Sequence, residues 1–187
     1  QENIVEDIKY FINRFGYRSF YFIDDLFTLN VENVEGLTSA IKKEGLNIRW
    51  QCLARVNNAK LSVFKHMKES GCYKVHFGIE SGDQNILNKV KKGITLDQTR
   101  NAVRICKEAG IRTKGYFMIG MPGDTIETMQ STLNFARDLE LDDVMFSIAT
   151  PFPGTELWST IDKSKITSLS EAFYYHEYND DDFHIFY

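Results

Sequence analysis

Three carboxylates stand where a β-like apolar run gives way to a turn: Asp24 and Asp25 after Ser19 to Ile23, and Glu80 after Lys74 to Ile79. Acidic side chains from successive strand ends suit a hard cation such as Mg²⁺, with a lysine or His76 as base. One cation, Arg55, belongs to the same class of turn positions, at the end of the apolar run between these two. An unpaired carboxylate in a shielded site is expensive, so Glu80 needs a cation nearby; beside its ligand-binding role it reads as an N-cap or as the ion-pair partner of Arg55. The cysteines offer less. Cys52, Cys72 and Cys106 are odd in number and match neither a disulfide framework nor a metal-ligand spacing. Cys52 and Cys106 fall on apolar rows and read as small core residues, and Cys72 as non-catalytic. His76 reads as a hydrogen-bonded residue on a polar row rather than a ligand. No serine elbow, HExxH, Walker loop or GxGxxG is present, so hydrolase, zinc-protease and P-loop chemistries lack their motifs.

A recurring unit of helix, glycine and strand must position these groups. Val5, Ile8, Ile12 and Phe15 have helical spacing, Gly16 caps them, and a strand follows over 19–23. The unit returns before the strands expected at 48–54, 74–79 and 113–119. A fifth copy without the glycine precedes a strand at 144–149. Thr95 with Gln98, and Asp124 with Glu127, carry the spacing of capping boxes. Strands alternating with helices imply parallel pairing and right-handed crossovers. Within the strands, Lys74, His76, Gly78 and Glu80 share one row and Val75, Phe77 and Ile79 the other, and Arg49, Gln51, Leu53 and Arg55 oppose Ile48, Trp50, Cys52 and Ala54. A doubly wound sheet would be apolar on both rows. One polar row fits a barrel with a polar lumen, and the working residues of such barrels lie at the carboxyl ends of the strands.

The chain has 187 residues, a length that suits one domain. With 43% hydrophobic and 26% charged residues it falls outside the disordered, collagen-like and disulfide-scaffold classes. A net charge of −4 disfavours a nucleic-acid binder that neutralises phosphates, and favours a small-molecule partner. No apolar run reaches the roughly 20 residues of a membrane span and no leader-like segment opens the sequence, so a cytoplasmic protein is expected.

The strings FIDDLFT (22–28), WQCLARV (50–56), FGIESGDQNIL (77–87), KKGIT (91–95), GYFMIGMPGDT (115–125) and TPFPGTELW (150–158) follow in order. Together they resemble the radical S-adenosylmethionine (SAM) family, especially its cobalamin-domain-associated branch, similar to magnesium-protoporphyrin IX monomethyl ester oxidative cyclases. The resemblance implies an α/β fold: a partial (β/α)6 TIM-like barrel, here missing its first strand. It also implies SAM, a 4Fe-4S cluster and a 5′-deoxyadenosyl radical that oxidatively cyclises or methylates a tetrapyrrole or other hydrophobic substrate. An electron donor, an upstream domain and cobalamin carried by a separate domain are the further partners it brings. Carried over by position, Asp24 and Asp25 lie near the SAM amino group, Glu80 and Ser81 at its methionine or ribose portion, and Lys92 or Arg55 at its carboxylate. Gly115, Phe117, Ile119 and Gly120 correspond to the segment along the adenine. A carboxylate, an ammonium, a sulfonium and hydroxyls call for this mixture of acids and bases.

The family's CxxxCxxC cluster loop is absent. Thiolates are the cluster ligands. The expectation is therefore a truncated barrel over 1–166 that is inactive on its own, since no residue of it is expected to be catalytic or to bind metal, followed by an aromatic and acidic extension over 167–187. A sixth helix is expected over 157–166. The rival readings are the Mg²⁺ enzyme built on Asp24, Asp25 and Glu80, and a non-catalytic scaffold.

Overall fold

The computed structural model describes residues 2–24 and 27–160. In chain order these form α1 (Glu2–Phe15), β1 (Ser19–Phe22), α2 (Val31–Lys43), β2 (Arg49–Ala54), a 3-10 turn (Val56–Asn58), α3 (Leu61–Glu69) and β3 (Cys72–Glu80). Then follow α4 (Gln84–Lys89), α5 (Leu96–Glu108), β4 (Arg112–Ile119), α6 (Ile126–Asp138), β5 (Asp143–Ile148) and α7 (Glu156–Thr160). The expectations for Asp25, for the later part of the sixth helix and for 167–187 lie outside the described residues.

All five strands are parallel and pair in sequence order, β1-β2-β3-β4-β5. Right-handed crossovers in unbroken order put the connecting helices on one side of the sheet and leave the other side as a lumen wall. The two rows divide as alternation requires. Trp50, Cys52 and Ala54, then Val75, Phe77 and Ile79, are buried against the helices with Phe64 and Met67. The lumen row (Gln51 and Leu53; Lys74, Gly78 and Glu80; Lys114, Tyr116 and Met118) is half-buried, and within it only His76 is fully covered. Aromatic stacking tightens the apolar layer: Phe22, Phe27 and Trp50 have centroids 5.2 to 5.5 Å apart, and Phe117 lies on Phe146 at 5.2 Å. The Trp50 indole donates to the Ser70 carbonyl at 3.0 Å, which spares that layer an orphaned polar atom.

Glycine is required where α3 turns into β3. Gly71 has φ +100°, and a Cβ there would lie 2.1 Å from the Ile48 carbonyl oxygen, so no other residue lets β3 pass this close to β2. Thr95 and Gln98 form the expected capping box at α5. The cap of α6 differs from expectation: Thr125 caps it with Thr128, while Asp124 turns back to accept from the Met121 amide at 2.8 Å and the Thr128 hydroxyl at 2.9 Å. The helix begins one residue later than an Asp124 cap requires. The short α4 was not expected. Asp83 caps it by accepting from the amides of Asn85 at 2.8 Å and Ile86 at 3.1 Å. Among the described residues, no helix is long and apolar enough to cross a membrane.

Candidate active site

The carboxyl end of β3 departs from regular strand geometry. The β3–β4 register shifts between Gly78 and Glu80, and Glu80 itself has φ +71°. A side-chain-bearing residue in that region costs on the order of 1 kcal/mol, a strain that concentrates where a fold must aim a functional group. The bulge swings the Glu80 carboxylate onto the Lys92 ammonium, Oε1 to Nζ 2.7 Å, with both side chains about three-quarters covered. Gly78 leaves room for this, since a Cβ there would lie 3.0 Å from Glu80 Oε1 and 3.1 Å from Lys92 Nζ.

Lys92 is held at both ends. Its amide donates to the Leu87 carbonyl at 3.0 Å as α4 ends, and its carbonyl accepts from Arg55 Nη2 at 2.8 Å. The cation expected beside Glu80 is therefore Lys92 rather than Arg55, whose guanidinium orients the Lys92 loop instead. Arg55 Nε is buried without a hydrogen-bond partner among the described residues. Such an orphaned donor costs roughly 1–3 kcal/mol unless a ligand satisfies it. Leu53, Arg55, Gly78, Glu80, Lys92 and Tyr116 line a cleft of about 530 Å³. A second cleft of about 500 Å³, lined by Met118, Met121, Pro122, Ala149 and Leu157, adjoins it through Val90 and Lys91, which border both. The first is charged and the second mostly apolar, and each lies in the size range of small-molecule sites.

The remaining expected residues are distributed unevenly. Asp24 is exposed just past β1. Ser81 is fully buried and faces α6: its hydroxyl pairs with the Thr132 hydroxyl at 3.1 Å and accepts from the Asp83 amide at 3.0 Å. Gly115 and Phe117 belong to the helix-facing row of β4, Gly115 against Leu141 and Ile79, Phe117 against Phe146. Ile119 and Gly120 end that strand beside the apolar cleft, which Met118 and Met121 line on either side of them. The side chains that β4 presents to the lumen are thus Lys114, Tyr116 and Met118, of which Tyr116 and Met118 reach the clefts. The alternation that sorts β3 marks them equally well in the sequence.

Farther down the same strands, the lumen wall holds a polar network. His76 Nε2 lies 3.0 Å from Gln51 Oε1, and Nδ1 lies 2.9 Å from the Tyr116 hydroxyl and 3.4 Å from that of Tyr21. The amide oxygen accepts, so Nε2 carries the proton and Tyr116 donates to Nδ1. Burial first, then the positive charges of Lys114 and Lys74, pushes the His76 pKa down to about 4. Burial first, then Tyr116, pushes the Tyr21 phenol up to about 12. Both groups are neutral at pH 7.

The three cysteines do not form a cluster site. Cys52, Cys72 and Cys106 are all buried in the apolar layer. Burial and the neighbouring thiols push Cys52 well up, and burial does the same to Cys106, which opposes the thiolate form that iron requires. Among the described residues, no three His, Cys, Asp or Glu side chains are grouped to hold a metal ion.

Comparison with known proteins bears on the same residues. The profile of the family described as "Radical SAM superfamily" matches residues 1–136. An "uncharacterized methyltransferase" of Pyrococcus horikoshii is 42% identical over 157 residues, covering 84% of this chain and 34% of the relative. The anaerobic magnesium-protoporphyrin IX monomethyl ester cyclase of Cereibacter sphaeroides is 26% identical over 182 residues, 95% of this chain and 29% of the relative. The chain thus spans about a third of the length of these curated relatives. Among solved structures, the radical SAM methyltransferase TsrM of Kitasatospora setae superimposes with a TM-score of 0.70 at 22% identity, over 77% of this chain and 30% of that one. At that identity the likeness concerns the barrel fold.

Proposed function

Because the chain belongs to the radical SAM superfamily, whose matched relatives are methyltransferases and cyclases, we propose that the two adjoining clefts are its SAM site. Arg55 and Lys92 take the methionyl carboxylate, with the orphaned Arg55 Nε as the donor that the ligand satisfies. Asp24 and Asp25 take the ammonium group, and Glu80 the ribose hydroxyls. Adenine lies in the apolar cleft between Met118, Met121 and Pro122, along the backbone of Ile119 and Gly120. Gly115, Phe117 and Ser81 act behind this surface, holding β4 and the β3–α4 loop in place.

The observation that carries the reading is the Arg55–Lys92–Glu80 relay, in which one loop is pinned from both sides beneath an unsatisfied buried donor. The same relay weighs against Mg²⁺ at these carboxylates, since Glu80 is already neutralised by an ammonium. Because the cysteines present do not fit a 4Fe-4S cluster, these 187 residues supply the SAM-binding wall, and radical formation depends on ligands they do not contain. The parent reaction is methylation or oxidative cyclisation of a small molecule such as a tetrapyrrole, in the cytoplasm, with an electron donor, an upstream domain and cobalamin on a separate domain as partners.

Calorimetric titration of the chain with SAM, and separately with MgCl₂, tests this. Saturable SAM binding that weakens about 10- to 100-fold in Arg55→Leu, the scale of one charge-assisted hydrogen bond, is expected. Mg²⁺ binding that Glu80→Gln abolishes, with no response to SAM, would overturn it. Iron and sulfide analysis after anaerobic reconstitution completes the test, with about four irons per chain contradicting the cluster statement.

A further inference from the structure

Below the proposed SAM cleft, the lumen wall carries more positive charge than it neutralises. Lys114 stands directly opposite Asp143 in the β4–β5 register. Asp143 is nevertheless taken by Lys74 at 2.5 Å, with Arg112 at 3.7 Å. Lys114 is therefore half-buried and makes no ion pair within 4 Å among the described residues; it shares Asp143 with Lys74 and Arg112 at longer range, and its ammonium rests 5.1 Å from the centroid of the Tyr116 ring. A cation–π contact recovers only about 0.5–2 kcal/mol, less than a hydrogen-bonded anion at a shielded site. The neighbours do not supply the missing charge: His76 is committed to Gln51 and Tyr116, and Tyr21 is a neutral hydroxyl. Lys74, Arg112 and Lys114 thus face two carboxylates, Asp142 and Asp143, and in a chain of net charge −4 this local surplus of one cation on the inner wall offers a place to an anion.

We infer that this wall receives the substrate, and that the substrate carries an anionic group, a carboxylate or a phosphate, seated on the Lys114 ammonium beside the Tyr116–His76 pair. The inference rests on the SAM reading only in making the lumen the substrate side of the cleft. The His76 network holds the Tyr116 ring in place, and with it the height at which the anion meets Lys114.

The test uses the full chain and two probes, sodium phosphate and sodium propionate, followed by NMR of the His76 imidazole and Lys114 side-chain signals. Saturable shifts of both residues with at least one probe are expected, and the tighter probe names the acid group. Affinity falls about 10- to 100-fold in Lys114→Met and is kept in Lys114→Arg, whose charge is the same. No saturable shift with either probe in the unsubstituted chain, or equal shifts in Lys114→Met, would overturn the inference. SAM titration of the same samples separates the two readings. SAM binding retained in Lys114→Met with anion binding lost supports both, anion binding without SAM binding sinks only the SAM site, and SAM binding without anion binding sinks only the substrate subsite.

Discussion

Replacing Gly82 by alanine tests how the β3–α4 loop is set. A Cβ at this position would lie 2.5 Å from Phe135 Cβ, 2.8 Å from the Ser131 carbonyl oxygen and 2.8 Å from Thr132 Cα. These atoms belong to the body of α6 and cannot rotate away, so either the loop retreats or the helix shifts. Overpacking of this kind costs about 1–3 kcal/mol. Retreat also stretches the two bonds that dock the loop, Gly82 amide to Thr132 Oγ1 at 3.0 Å and Ser81 to Thr132 at 3.1 Å, each contributing about 1 kcal/mol. The sum is a loss of up to about 3–5 kcal/mol, which lowers Tm by roughly 6–20 °C for a domain of this size. Thermal unfolding followed by far-ultraviolet circular dichroism measures it. Thr132→Val removes the hydroxyl that both bonds share, so the double variant should lose less than the two single losses added. A Tm for Gly82→Ala within about 1 °C of the parent, or strict additivity, would refute the docking of the loop on α6.

Gly78→Ala should behave differently, because its Cβ meets only the mobile ends of Glu80 and Lys92. Stability is expected to change by less than about 1 kcal/mol while SAM affinity drops about tenfold, and unchanged affinity in a folded variant would remove the ion pair from the site. His76 links stability to pH. Its folded pKa of about 4 lies below the ordinary 6.5, so the unfolded chain binds the extra proton, and the contribution is present above pH 6.5 and lost as pH falls toward 4. Denaturant unfolding at pH 7 and pH 5 should show a decline that His76→Gln reduces by about 1–2 kcal/mol, and identical declines would count against a neutral buried imidazole. The three thiols should resist a disulfide reagent in the native chain and react together on unfolding, all being buried. Rapid native labelling of any one would place it outside the apolar layer.

Much of the scaffold is legible in the residues because it depends on local periodicity. Alternation alone separates Lys74, His76, Gly78 and Glu80 from Val75, Phe77 and Ile79, and the structure keeps that division. The same rule applied to β4 would have turned Gly115 and Phe117 to the helices and selected Tyr116 and Met118 instead. Asp83 followed by Ile86 and Leu87 carries the mark of a short capped helix, which its length makes easy to overlook. Ser81 is less transparent. A serine in a turn reads as a ligand contact, and only the position of α6, more than forty residues later, makes it a buried strut.

By itself, then, the sequence determined the order of helices and strands, the polar and apolar rows, and, through its strings, the family. It did so because caps, turns and alternation are set by neighbours within a few positions. Only the tertiary structure decided which charges meet. Glu80 found Lys92 instead of Arg55 because a bulge and a left-handed residue redirect the strand end. Asp143 was drawn to Lys74, 69 residues away, rather than into a close ion pair with Lys114, its register neighbour on β4. Pairing of charges depends on distances of a few ångströms between separate strands, and no spacing along the chain encodes them.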